Sequence, residues 1–288
     1  MTTEVKLIEC PRDAMQGIST WIPTESKIRY INHLLRMGFD TLDMGSFVSP
    51  KAIPQMRDTA EVIRGLELDN AKSRLLCIVA NMKGAVQSVE FDEIACLGFP
   101  MSVSETFQQR NTHSGLEKGF QDLMEIFNLA TAKKKSMVVY LSMGFGNPYG
   151  DPWSPDLLMQ WSDRICKELG EVTIALSDTI GCATDEILHS AFVNLVKEFP
   201  AVEFGAHLHV HPKDARQRFL TAWNAGCRRF DGALGGLGGC PMATDTLTGN
   251  MPTEIILDSL NEMGIRHQID SSMLQEAFSI IHLMPGML

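Results

Sequence analysis

No two of the seven cysteines in this 288-residue chain stand as C-x-x-C, and their odd number leaves one thiol over in any disulfide framework. Paired-cysteine zinc ribbons and thioredoxin-like redox motifs are thereby excluded, and a reduced, cytoplasmic setting fits the thiols better. No apolar run approaches the ~20 residues of a membrane span. The opening MTTEVKLIEC has no apolar signal core, so export is not expected. Basic residues are scarce as well: 25 Lys and Arg stand against 35 Asp and Glu, for a net charge of -10. Without a basic stripe to offset that charge, nucleic acid is excluded as a partner. The short run Lys133-Lys134-Lys135 reads as a helix C-terminus, where cations meet the negative end of the dipole. An anionic substrate would then need positive charge at its own site, from a metal or an arginine.

What is present is an ordinary globular composition, 44% apolar and 21% charged, in a length near the ~250 residues of one (β/α)8 barrel. Short runs of β-branched and aliphatic residues recur and predict strands at 5–10, 40–47, 74–80, 93–99, 136–143, 171–178, 203–210 and 228–234. Between them lie stretches with apolar residues three and four apart, such as 24–38 and 154–170, each opening on a Thr or Ser suited to N-capping and closing near a Gly. Regular alternation of strand and helix implies parallel strands with right-handed crossovers. The strands are near-continuously apolar, as strands covered by helices should be. A closed α/β TIM barrel is expected over about 4–250, with further helices at 252–288 in the same single domain; an open doubly wound sheet is the alternative.

In such a barrel the chemistry sits where strands end. The sharpest signal is His207-Leu208-His209, because residues two apart on a strand point the same way and both imidazoles can reach one ion. Asp13, after the first strand, could complete a facial set of two imidazoles and a carboxylate, with positions left for water and substrate. A hard or borderline divalent ion suits that set: Mg2+ or Mn2+, with Co2+ or Zn2+ as further options. His211 shares the spacing, but Pro212 turns the chain away, so it reads as a rim residue. Arg12 could stabilise a developing enolate. Asp43 and Ser46 belong to the second strand, and Asp178 and Thr179 end the sixth. Cys240 lies in a loop of small residues that would favour a thiolate able to move a proton, although lone thiols are more often structural. Asn250 is either a neutral oxygen donor or a helix cap, and Cys77, Cys96, Cys166, Cys182 and Cys227 read as packing residues.

The chain resembles the 3-hydroxy-3-methylglutaryl-CoA lyase branch of the DRE-TIM metallolyases over nearly its whole length. The matching pieces are Pro11-Arg12-Asp13 with Gln16, SFVSPKAIPQM (46–56), NMKG (81–84), SETFQQRN (104–111), SDTIG (177–181), AHLH (206–209), GLGGCP (236–241) and Gly249-Asn250. The resemblance implies a homodimeric metal-dependent lyase acting on an acyl-CoA. Asp13, His207, His209 and Asn250 would hold the metal, Arg12 would polarise the thioester carbonyl, and Cys240 would be the mobile catalytic thiol. Gln16, Ser46 and Thr179 would line the substrate pocket, Asp43 would work beside Arg12, and Asp178 would support the metal site. Lys83 and Arg110 are candidates for the CoA phosphates. Four departures stand out, several of them altering the pocket wall: RDAMQGI for the family's RDGLQNE, Asp43 for its glutamate, Val210-His211-Pro212-Lys213 for Asp-Thr-Tyr-Gly, and a loop from Cys240 to Asn250 one residue longer, with Met242 in place of the aromatic after Cys-Pro.

Overall fold

The computed structural model describes residues 4–69, 71–170, 172–239 and 248–287. Eight parallel strands close in chain order: β1 (Lys6–Glu9), β2 (Thr41–Ser46), β3 (Arg74–Ile78), β4 (Ile94–Ser102), β5 (Ser136–Ser142), β6 (Thr173–Asp178), β7 (Glu203–Leu208) and β8 (Arg229–Gly232). β8 pairs with β1 from Lys6↔Arg229 to Glu9↔Gly232, so the sheet is a barrel and not an open doubly wound layer. The helices are α1 (Pro11–Gln16), α2 (Thr24–Met37), α3 (Thr59–Arg64), α4 (Met82–Ser88), α5 (Glu105–Thr112), α6 (Leu116–Ala132), α7 (Pro155–Leu169), α8 (Asp185–Glu198), α9 (Pro212–Asn224), α10 (Thr253–Glu262) and α11 (Leu274–Leu283). No described helix is long and apolar enough to cross a membrane.

The two helix starts singled out in the sequence come out differently. Ser154 caps α7, its Oγ accepting from Leu157 N at 3.1 Å, as the sequence predicts. Thr24 does not cap α2: Pro23 holds that position, and the Thr24 hydroxyl donates to Asp58 Oδ2 at 2.8 Å. A tertiary partner outcompeted the local bond there. The Lys133–Lys135 run follows the last turn of α6, as expected, and Lys135 Nζ donates to Phe91 O at 2.8 Å. α11 packs against α2, where Asp270 N donates to Met37 O at 2.8 Å, so the C-terminal segment covers the outer ring beside the first crossover.

Two cores result. The larger lies between sheet and helices, and the smaller, inside the barrel, contains Leu76, Ile78, Cys96, Val138, Tyr140 and Ala175. Those inner residues come from β3 to β6. On the other half of the barrel wall the inner positions are charged, with Asp43, Arg229 and Asp231 all buried. Gly98 explains how the apolar half closes, since a Cβ there would lie 2.5 Å from Ile78 Cδ1 and 2.9 Å from the Tyr140 ring.

Glu9 points the other way, toward the helices, and is fully buried. Its Oε1 accepts from Leu234 N at 2.8 Å and its Oε2 from the Thr253 hydroxyl at 2.5 Å, tying β1 to the segment after β8 and to α10. Burial pushes this carboxyl from 4.5 up to about 8, with those hydrogen bonds opposing and Glu254 assisting. The folded state therefore keeps a proton that the unfolded chain gives up. The stabilisation is full below pH 4.5, declines as pH climbs to about 8, and is level beyond. Glu9→Gln should flatten that decline and make the protein more stable than wild type at alkaline pH. Urea unfolding across this window measures it, and parallel pH profiles for the two proteins would refute it.

Candidate metal centre and active site

Pro11, at the first helical position, lets α1 start directly after β1. Arg12 and Asp13 therefore sit in the first turn of a short helix, not in the strand itself. Helical spacing makes Gln16 a neighbour of both. Arg12 Nη1 donates to Asp13 Oδ1 at 2.7 Å and to Gln16 Oε1 at 2.9 Å, while Gln16 Nε2 donates to Asp13 Oδ1 at 2.5 Å. The other side of the guanidinium grips Asp43, with Nε 3.2 and 3.1 Å from its two oxygens and Nη2 bonded to Oδ2. Asp43 reaches it because β2 shifts register between Asp43 and Gly45. Residues three apart on a regular strand face opposite ways, yet this bulge turns both Asp43 and Ser46 inward. Ser46 Oγ is buried without a hydrogen-bond partner and lines the central cavity.

His207 and His209 come from the end of β7 and the residue beyond it. Their Nδ1 atoms are both engaged, His207 with Asp231 Oδ2 at 3.2 Å and His209 with Thr179 O at 3.0 Å. The opposite nitrogen of His209 has no partner although it is buried, and lies 3.8 Å from Asp13 Oδ2. Asp13, His207 and His209 each offer a ligand atom, all within 4.8 Å of one another. An unpaired buried imidazole nitrogen costs its full desolvation penalty. A divalent cation beside the Asp13 carboxylate would repay it, so the donor set fits the ion the sequence predicts.

Burial opposes charge on all these groups, and what each one touches decides the outcome. Asp13 is pushed up by burial but drawn down to about 2 by Arg12, the two imidazoles and the Asn250 amide. Asp43 remains above the usual carboxylate range because burial outweighs Arg12 and Asp13 adds repulsion. Burial takes His209 down to about 4, leaving a neutral ring. His207 is lowered by burial but raised more by Asp231, so its shift is upward.

Asn250 is buried in a bridge opposite His209, not at a helix cap, and its amide nitrogen donates to Asp13 Oδ2 and to Leu237 O, each at 2.7 Å. The nitrogen, rather than the oxygen, thus faces the carboxylate. Thr179 Oγ1 accepts from Met143 N at 3.0 Å while lining the cavity. The Asp178 carboxylate turns from the histidines to accept from Cys182 N and Ala183 N at 2.9 and 2.8 Å, so it shapes the loop after β6. His211 caps α9 at the surface, and Cys182 is exposed rather than packed inside. Cys240 lies outside the described residues.

Above these groups opens a cavity of about 600 Å³. Arg12, Asp13, Ser46, Tyr140, His207 and His209 are among its walls, and the exposed Lys51 and Lys118 line it too. Lys83 and Arg110 are not in its lining; Arg110 instead lies over the Tyr149 ring, 5.1 Å from its centroid.

The chain matches the HMGL-like family over residues 5–281. The chain belongs to the HMGL-like family. Hydroxymethylglutaryl-CoA lyase YngG of Bacillus subtilis is 33% identical over 93% of this chain and 88% of its own. The crystal structure of the HMG-CoA lyase from Bacillus subtilis superposes with a TM-score of 0.90 at 32% identity, covering 98% of this chain and 93% of that one. An HMG-CoA lyase from Acinetobacter baumannii, solved with coenzyme A and 3-methylmalate, superposes with a TM-score of 0.87 at 31% identity, covering 96% and 90%. Within this HMGL-like barrel the residues that sequence reasoning missed are Asp231 and Arg229. Their signal was present, since two charges in the interior of a strand call for partners.

Proposed function

We propose that the protein is a divalent-metal-dependent lyase that cleaves 3-hydroxy-3-methylglutaryl-CoA to acetyl-CoA and acetoacetate. One observation carries the mechanism: the buried, partnerless nitrogen of His209 faces Asp13 beside a guanidinium, at the base of a cavity sized for an acyl chain. Asp13, His207 and His209 would hold the ion, and Asn250 would join them if its amide turned over. A bound ion supplies Lewis acidity, lowering the pKa of the tertiary C3 hydroxyl. Mg2+ and Mn2+ suit the carboxylate and imidazole donors.

The bond that breaks is C2–C3. The C3 hydroxyl gives up its proton to solvent water in the cavity, C3 becomes the ketone of acetoacetate, and the electron pair of the broken bond passes to C2 and the thioester oxygen. Arg12 meets that developing oxyanion with a guanidinium already aimed by Asp43 and Gln16, so little reorganisation is needed as charge forms. Ser46 and Gln16 orient the acyl group, and Thr179 flanks it. Cys240 delivers a proton to C2 of the enolate. Lys51 and Lys118 offer cations where the acidic chain must meet CoA phosphates. The whole chain acts as one catalytic domain in a homodimer.

The test is direct. With Mg2+ or Mn2+, the purified protein should release acetyl-CoA and acetoacetate in equal amounts, EDTA should stop it, and added metal should restore it. Absence of acetoacetate with either ion would end the proposal.

A further inference from the structure

We propose that Asp231, clamped by Arg229, is a positioning residue that fixes the ring tautomer of His207 and so makes its second nitrogen a metal ligand. The inference rests on the reading of His207 as a ligand, but not on the substrate. Asp231 stands directly across from His207 in the β7–β8 register. Its Oδ2 is 3.2 Å from His207 Nδ1, and its Oδ1 accepts from Arg229 Nη1 at 2.6 Å. Both side chains are buried, Asp231 at 2% exposure and Arg229 at 4%. Arg229 crosses the barrel floor over Gly205, where a Cβ would come within 3.1 Å of its Cδ and Nη1. Its Nε points toward Glu203, 3.7 Å away, so the guanidinium is steadied from behind.

A carboxylate can only accept. The hydrogen on the neutral His207 ring must then sit on Nδ1, which leaves the Nε2 lone pair free. His209 reaches the same state by another route, since its Nδ1 faces the Thr179 backbone carbonyl. That partner cannot be changed by a side-chain substitution, whereas the partner of His207 can. Cys10 Sγ shares the space, within 4.8 Å of the facing His207 and Asp231 atoms. Asp231 already has one oxygen on His207 and the other on Arg229. The three are therefore a support beneath the metal ligands and not a second metal site.

The clamp makes a directional prediction. In Asp231→Asn, Arg229 can only donate, so the new amide must turn its oxygen toward Arg229 and its nitrogen toward His207. His207 Nδ1 must then accept, and its hydrogen moves to Nε2, where the ion needs a lone pair. Removing the clamp as well, in Asp231→Asn/Arg229→Met, frees the amide to turn its oxygen back to His207.

The experiment is a Mn2+ titration by calorimetry on folded wild type, Asp231→Asn, the double variant and Cys10→Ser, with 15N NMR of the His207 ring in the metal-free proteins at alkaline pH. Asp231→Asn should bind Mn2+ about 10- to 100-fold more weakly, the usual effect of losing such a support. Its ring hydrogen should have moved to Nε2. The double variant should regain most of the affinity and the original tautomer, and Cys10→Ser should bind within about twofold of wild type. Unchanged affinity and tautomer in Asp231→Asn would overturn the proposal. So would loss of Mn2+ binding in Cys10→Ser, which would put the ion on the thiol. If wild type bound no ion, the reading of the site would fail, and the ring tautomer would still decide the role of Asp231.

Discussion

Asp13→Asn should lower kcat about a thousandfold or more while leaving the barrel folded. Loss of a bound divalent ion removes several kcal/mol of charge stabilisation, and each ~1.4 kcal/mol is a factor of ten. The isosteric amide also fails locally. Arg12 and Gln16 donate to Oδ1 and Asn250 donates to Oδ2, so all three neighbours are donors. An amide at position 13 must place its own N–H against one of them whichever way it turns. Steady-state assays at saturating Mn2+, with thermal melts alongside, separate this from unfolding. A kcat within tenfold of wild type, with the metal still bound, would remove Asp13 from the ligand set.

Arg12→Lys should cost a hundred- to thousandfold in kcat, the range seen when one oxyanion donor is lost. The change keeps the positive charge, so the geometry of the guanidinium is what it tests. Arg12 serves Asp43 with one side and Asp13 with Gln16 through the other. An ammonium can hold one carboxylate of the two, but not both while also facing substrate. Asp43 already lies above the usual carboxylate range, and with weaker support it takes up a proton instead of unfolding the protein. The activity loss should therefore exceed any loss in melting temperature. Asp43→Asn should show a smaller drop in kcat, because Arg12 keeps its charge and its bonds to Asp13 and Gln16. If Arg12→Lys retained most of the activity, charge alone would suffice and the fork geometry would not matter.

The metal ligands and the aim of Arg12 differ in how legible they are in the sequence. The histidine pair could be proposed from spacing alone, since a strand period of two puts His207 and His209 on one side, and Asp13 from its place at the rim where strands end. The aim of Arg12 could not. Asp43 and Ser46 are three apart, which on a regular strand sends them to opposite faces, and only the bulge between Asp43 and Gly45 brings both inward. Asp231 was visible within a strand, but its partner depends on β7 pairing with β8 so that position 231 faces 207. Thr24 teaches the same lesson on a smaller scale. Its hydroxyl suits a cap, yet Asp58 from another element takes it.

For this protein, then, the sequence by itself determined the eight strand positions, the parallel α/β class, the histidine pair and the membership implied by GLGGCP and SFVSPK, while the pairing of β8 with β1 decided that the sheet closes. Those features are periodic or local, and they follow from backbone geometry and hydrophobic burial along the chain. Only the tertiary structure decided which nitrogen of His209 is left unpaired, which way the Asn250 amide turns, and which charges meet inside the barrel. Each of these depends on which residues of separate strands and loops are brought face to face. In a buried, low-dielectric interior, a hydrogen bond made or missed between them costs more than local propensity can supply.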